Sequence, residues 1–223
     1  AVRYALTDPA VGAVTRLQDR VQFGATLYHS VGGNGGGVCP ILTSSAGAAP
    51  GRPLLRNRDA IDALFSANQP LRDTPTAESV RAITADKSLW GNDPGPRVLV
   101  LATDGDPDTC IDPNASGSGP QGLSEQAVQA AYQAGIRTYI LSVGAQVTKT
   151  HLEKLANAGA GKPLTPASEP YFQGNNPADL ITAFNTIIRG SRSCRLALNG
   201  KADAAAAGQA KVSLNGNPLG YGK

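Results

Sequence analysis

The chain has 223 residues, 20 Lys and Arg against 17 Asp and Glu, a formal net charge of +3, and 41% hydrophobic residues. That length holds one α/β domain with a real core and a small appendage, and it excludes two full domains. The basic residues are scattered without aromatic neighbours, which argues against a nucleic-acid surface, and no apolar run approaches the roughly 18 to 20 residues of a membrane span.

In chain order, Ala1-Val2-Arg3-Tyr4 reads as the interior of a helix. With no Met anywhere in the chain, a fragment or processed product is expected, and any signal peptide would lie outside it. Arg20 to Tyr28 alternates apolar and polar positions, as a half-buried strand does. The glycines of Gly32 to Gly37 form a connection, and Val38 to Thr43 is the return strand. Asp59 to Phe65 sets Ile61, Leu64 and Phe65 at helical spacing. Thr74 then offers an N-cap, with Pro75 in the first turn of another helix.

Val98 to Ala102 is continuously apolar, which predicts a parallel strand covered on both faces, and it ends abruptly in Thr103-Asp104-Gly105. Leu123, Ala127, Val128, Ala131 and Tyr132 form a helical stripe, followed by a buried strand at Ile136 to Val143. Thr150 and Glu153 match a capping box for a helix ending near Gly159. Asn176-Pro177 opens the last helix, with Leu180, Ile181, Phe184, Ile187 and Ile188 on one face and Gly190 beyond its end.

Strands alternating with helices give an α/β fold over residues 1–192, a doubly wound and mainly parallel sheet with flanking helices. Residues 193–223 read as a small C-terminal β appendage, with short strands at Arg195 to Leu198 and Lys211 to Leu214, each followed by Asn-Gly. Cys39, Cys110 and Cys194 are widely spaced, and neither His29 nor His151 has ligand spacing to them, so a zinc site is not expected. Their loop-like settings favour disulfides in an oxidising compartment over buried thiols.

In doubly wound sheets ligands gather at the carboxyl ends of the strands, and Asp104 follows directly on the most apolar one. Val-Leu-Val-Leu-Ala-Thr-Asp-Gly at 98–105, preceded by Asp-Thr-Pro-Thr-Ala-Glu-Ser-Val at 73–80, resembles two of the three motifs of the von Willebrand factor type A family. The surrounding elements agree in order over residues 1 to about 190. The resemblance implies a metal-ion-dependent adhesion site, in which Mg2+ or another divalent cation is held by oxygen ligands and an acidic group of the partner completes the shell. By motif matching, Thr74 would supply a hydroxyl and Asp104 a carboxylate. The plainer alternatives are that Thr74 caps its helix and Asp104 closes a turn.

The family's first motif, Asp-x-Ser-x-Ser, does not occur in this chain. Its strand would precede Ala1 and would lie between the strands at 20–28 and 97–103. The resemblance therefore implies that these two do not pair with each other, and that an upstream segment or a strand from another chain fills the slot between them. From the family's strand order, Cys39 would pair with Cys110, and Cys194 with a cysteine outside this chain. Asp106 and Asp108 form an accessory acidic loop with Asp104. Pro107 interrupts it, and the glycine and glutamate of an EF-hand are missing.

No nucleophile motif and no phosphate-binding loop is present, so catalysis is not expected. The expected function is an extracytoplasmic binding or adhesion module, secreted, periplasmic or on the cell surface. Its partner would be a protein ligand or a neighbouring subunit. The alternatives are a structural subunit of an assembly, and, further off, a metal-dependent hydrolase using Asp104, Asp106 and Asp108.

Overall fold

The computed structural model describes residues 1–31, 37–44, 52–69, 73–90, 95–191, 212–214 and 217–219. The chain divides into two units, Ala1–Ser191 and Arg192–Lys223. The first runs in the order α1 (Val2–Thr7), α2 (Ala13–Leu17), β1 (Thr26–His29), β2 (Ile41–Ser44), α3 (Arg58–Ala67), α4 (Thr76–Ala85) and α5 (Lys87–Trp90). It continues through β3 (Arg97–Gly105), α6 (Ser118–Gln133), β4 (Ile136–Gln146), α7 (Lys149–Gly159), β5 (Phe172–Gln173) and α8 (Pro177–Gly190).

The strands β3, β4 and β5 form a parallel sheet in that order, with Leu99 opposite Thr138 and Leu101 opposite Ile140. Side chains alternate across a strand, so neighbouring residues of β4 feed different cores. Ile140 packs with Val80, Leu101, Val128 and Leu155, the layer of α4, α6 and α7. Leu141 packs with Ala5, Leu180 and Phe184, the layer of α1 and α8. Helices thus cover both faces of a parallel sheet, the α/β arrangement expected from the sequence. α7 lies close on β4: a Cβ added at Gly159 would sit 2.1 Å from the carbonyl oxygen of Thr138.

β1 and β2 make a separate antiparallel hairpin, with Tyr28 opposite Leu42. Among the described residues β1 pairs with β2 and β3 pairs with β4, and the two are not hydrogen-bonded to each other.

Several boundaries differ from the sequence reading. The first strand begins only at Thr26, and Phe23 instead makes an isolated antiparallel bridge to Leu54. The return strand starts at Ile41, past Pro40, which has no N–H to give a ladder. α4 starts at Thr76 with Pro75 at its cap position and no side-chain cap, so Thr74 does not cap it. α7 starts at Lys149 with Thr148 at the cap position, and the capping box at Thr150 and Glu153 does not form. Glu153 pairs with Lys149 at 3.6 Å instead. The last helix opens as read, with the Asn176 side chain accepting from the N–H of Asp179 at 3.0 Å, but Gly190 is its final residue.

In the second unit, β6 (Val212–Leu214) pairs antiparallel with β7 (Asn217–Leu219). Both Cys194 and the strand expected at Arg195 to Leu198 lie outside the described residues.

Candidate functional site at the carboxyl edge of the sheet

The carboxyl ends of β3 and β4 lead into loops that hold each other through side chains. The β3–β4 register shifts between Thr103, opposite Ser142, and Gly105, opposite Gln146. Asp104 falls in that irregularity and is exposed. A bulge of this kind re-aims a side chain at a strand end.

Asp106 is fully engaged. One oxygen accepts the Thr148 N–H at 2.9 Å, and the other accepts the Thr148 hydroxyl at 2.7 Å and the Gln121 amide at 3.3 Å. It staples the loop after β3 to the starts of α6 and α7. That is why Thr148, and not Thr150, marks the beginning of α7.

Asp108 joins the same loop to the one before α4. Its N–H donates to the Thr74 carbonyl at 3.1 Å, and its Oδ2 accepts the Thr74 N–H at 2.6 Å. The Asp108 side chain is buried, and its Oδ1 has no hydrogen-bond partner. Burial, together with the nearby charges of Asp73, Glu78 and Asp112, pushes its pKa up to about 6, against the pull of the Thr74 N–H. Glu78 Oε1 accepts the Cys110 N–H at 3.1 Å, while its buried Oε2 has no partner.

The Cys39–Cys110 disulfide, with α-carbons 5.4 Å apart, ties the β1–β2 hairpin to this loop. It is the pair that the strand order implied. Ser30 donates to Asp73 at 2.9 Å, which links the end of β1 to the loop before α4. The Tyr28 hydroxyl lies 3.4 Å from the Thr76 hydroxyl. Burial raises the Tyr28 pKa, the hydroxyls of Thr76 and Thr103 oppose that, and the Asp104 and Asp108 charges add to it, so the phenol stays neutral.

Thr74 lies in the loop before α4, which Asp108 joins to the loop after β3, and Asp104 lies at the end of β3 itself. Their surroundings do not fit a divalent cation. Magnesium demands near-octahedral oxygen ligation. One hydroxyl and one carboxylate fall well short of that shell, both oxygens of Asp106 already accept hydrogen bonds, and Asp108 is buried with Oδ2 on the Thr74 N–H. Among the described residues no group of three or more His, Cys, Asp or Glu could hold a metal ion.

The sequence reading missed Tyr28, Asp73, Glu78 and Thr148. Their roles rest on contacts between distant positions of the chain, 48 apart for Tyr28 and Thr76, 43 for Ser30 and Asp73, 32 for Glu78 and Cys110, and 42 for Asp106 and Thr148. Local pattern carries no signal for them. His151, in the first turn of α7, is buried with Nδ1 2.9 Å from Glu125 Oε1.

No protein-family model matches the chain, and no curated protein matches it. Two solved structures of proximal thread matrix protein 1 from the mussel byssus are similar to it, one a second crystal form and the other with a zinc-occupied MIDAS motif. Each is 17% identical with a TM-score of 0.47, and the match covers 75% of this chain and 36% or 35% of theirs. The chain thus spans about a third of the length of those structures, and a likeness of that degree carries no conclusion about ligand or role.

Proposed function

We propose that this chain is a protein-binding module of the von Willebrand factor A type that works outside the reducing cytoplasm and engages its partner at the carboxyl edge of the sheet. The observation that carries this reading is the construction of that edge. Four loops are fastened together by the Cys39–Cys110 disulfide, the Asp108–Thr74 clamp and the Asp106–Thr148 staple, while Asp104 is left exposed at the strand end. Loops held this firmly on a parallel sheet present a preorganised surface, which lowers the entropic cost of binding.

The disulfide favours an oxidising compartment, secreted, periplasmic or cell-surface. Among the described residues no helix is long and apolar enough to cross a membrane. A divalent cation held by Thr74 and Asp104 needs further oxygen ligands, from another segment or from an acidic group of the partner. Metal-assisted hydrolysis has little support, because Asp106 and Asp108 are spent on holding loops. A structural subunit would use the same edge as a permanent contact.

The test is site-specific photo-crosslinking with the probe at Ile111, beside the disulfide, or at Tyr132, near the starts of β3 and β4. In secreted and envelope fractions of the native host, a discrete protein adduct from Ile111 and not from Tyr132 is expected. Equal labelling from both positions, or none, removes the reading.

A further inference from the structure

Six large hydrophobic residues are exposed in the described chain, and three of them, Val31 (57%), Val38 (67%) and Ile111 (78%), flank one disulfide. Val31 and Val38 face each other across the mouth of the β1–β2 hairpin, where the Val31 N–H donates to the Val38 carbonyl at 3.4 Å. Val38 precedes Cys39 and Ile111 follows Cys110, so the bond between the cysteines, with α-carbons 5.4 Å apart, brings the three exposed residues to one part of the surface. An exposed apolar cluster with a polar rim marks an interaction site more often than scattered surface residues do.

Most of the charge that the described loops of this edge carry is negative. Residues 26–31, 37–44, 73–80 and 103–112 carry Asp73, Glu78, Asp104, Asp106, Asp108 and Asp112 and no Lys or Arg, with Arg72, Arg81 and Lys149 bordering these segments and that of Thr148, although the whole chain has a net charge of +3. None of these carboxylates takes part in an ion pair among the described residues. Asp73 touches Ser30, the neighbour of Val31, and Asp112 is the neighbour of Ile111. Both Asp104 and Asp112 are exposed. The buried Asp108 Oδ1 lacks a hydrogen-bond partner, as does Glu78 Oε2. With too few free oxygens for a metal shell, this negative charge is left for another cation to meet.

Resting on the protein-binding reading above, we propose that the partner presents a cationic, apolar segment: a Leu, Ile or Val side chain set on Val31, Val38 and Ile111, flanked by Lys or Arg facing Asp73, Asp104 and Asp112. Such a partner needs no divalent ion. Opposite charge steers its approach and fixes its register, while the apolar patch supplies the desolvated contact that holds it.

The probes are three short synthetic peptides of alternating Leu-Lys, Leu-Glu and Ser-Lys sequence, titrated against the full chain in EDTA and again with Mg2+, with affinity read by fluorescence anisotropy. The Leu-Lys peptide is expected to bind equally in both buffers, and at least about ten-fold more tightly than the other two. Ile111→Ser, Val38→Ser and the pair Asp104→Asn with Asp112→Asn should each weaken it about ten-fold, whereas Tyr132→Ser should leave it unchanged. All of these positions are exposed, so an unchanged thermal transition separates lost binding from lost folding. Preferred binding of Leu-Glu, a requirement for Mg2+, equal binding of Ser-Lys, or no effect of the Ile111 and Asp104 substitutions overturns the cationic, apolar partner. A protein adduct still formed from Ile111 in that event leaves the protein-binding reading standing, which keeps the two failures apart.

Discussion

At Asp108, burial and like charge oppose a hydrogen bond that the carboxylate makes well. Its folded pKa of about 6 lies above the ordinary 3.8, so the folded state binds this proton more tightly than the unfolded chain does. Stability from this group therefore falls as pH rises from about 4 to about 6, and the cost is fully present above that window. Asp108→Asn keeps an oxygen for the Thr74 N–H and removes the charge. The variant should be more stable than the parent by about 1 to 3 kcal/mol at pH 7.5, with the difference shrinking towards zero near pH 4. Urea unfolding at both pH values checks this, and an advantage that does not change with pH shows that Asp108 does not titrate as described. The same scale shows where sequence stops being informative. Asn157 looks like an ordinary polar helix residue, yet it is fully buried, donates to the carbonyls of Pro163, Leu164 and Pro166, and accepts from Ser168 and Glu169. Nothing in the periodicity of α7 sets it apart.

Among the elements, those whose ends are capped from within were legible. α8 begins where Asn176 and Pro177 say it should, because the Asn176 side chain satisfies the Asp179 N–H three residues on. α4 and α7 were misread by a residue or two at their starts, because the polar groups there answer to Asp108 and Asp106 in a distant loop. The Cys39–Cys110 bond is the strongest tie between the hairpin and that loop, closing a chain separation of 71 residues. By loop-closure entropy its removal should cost about 4 kcal/mol. Cys39→Ser with Cys110→Ser is expected to lower the midpoint of thermal unfolding, and a reducing agent should do the same to the parent. A midpoint that neither treatment moves places the bond outside the forces that hold this edge.

For the first unit taken whole, the open question of packing is the edge of β3. β4 is paired on both sides, to β3 and at Leu141 and Ser142 to β5, whereas β3 is paired only to β4 among the described residues. Leu99, Val100 and Ala102 are correspondingly only half-buried in a strand whose sequence reads as covered on both faces. Amide hydrogen exchange should therefore find the β3 amides that point away from β4 exchanging much faster than those of Leu141 and Ser142 in β4. Uniformly slow exchange along β3 would mean that a further strand covers this edge. The amino-acid sequence by itself determined the alternation of strands and helices, the two-sided burial of β4, the position of Asp104 at a strand end and the setting of the cysteines, because periodicity and turn chemistry act over a few residues. Only the tertiary structure decided that Thr74 serves Asp108 through its backbone, that Asp106 is spent on Thr148, and that carboxylates from separate segments share one edge with Val31, Val38 and Ile111. Those outcomes depend on which distant segments meet once both faces of the sheet are buried, and a local pattern does not record that meeting.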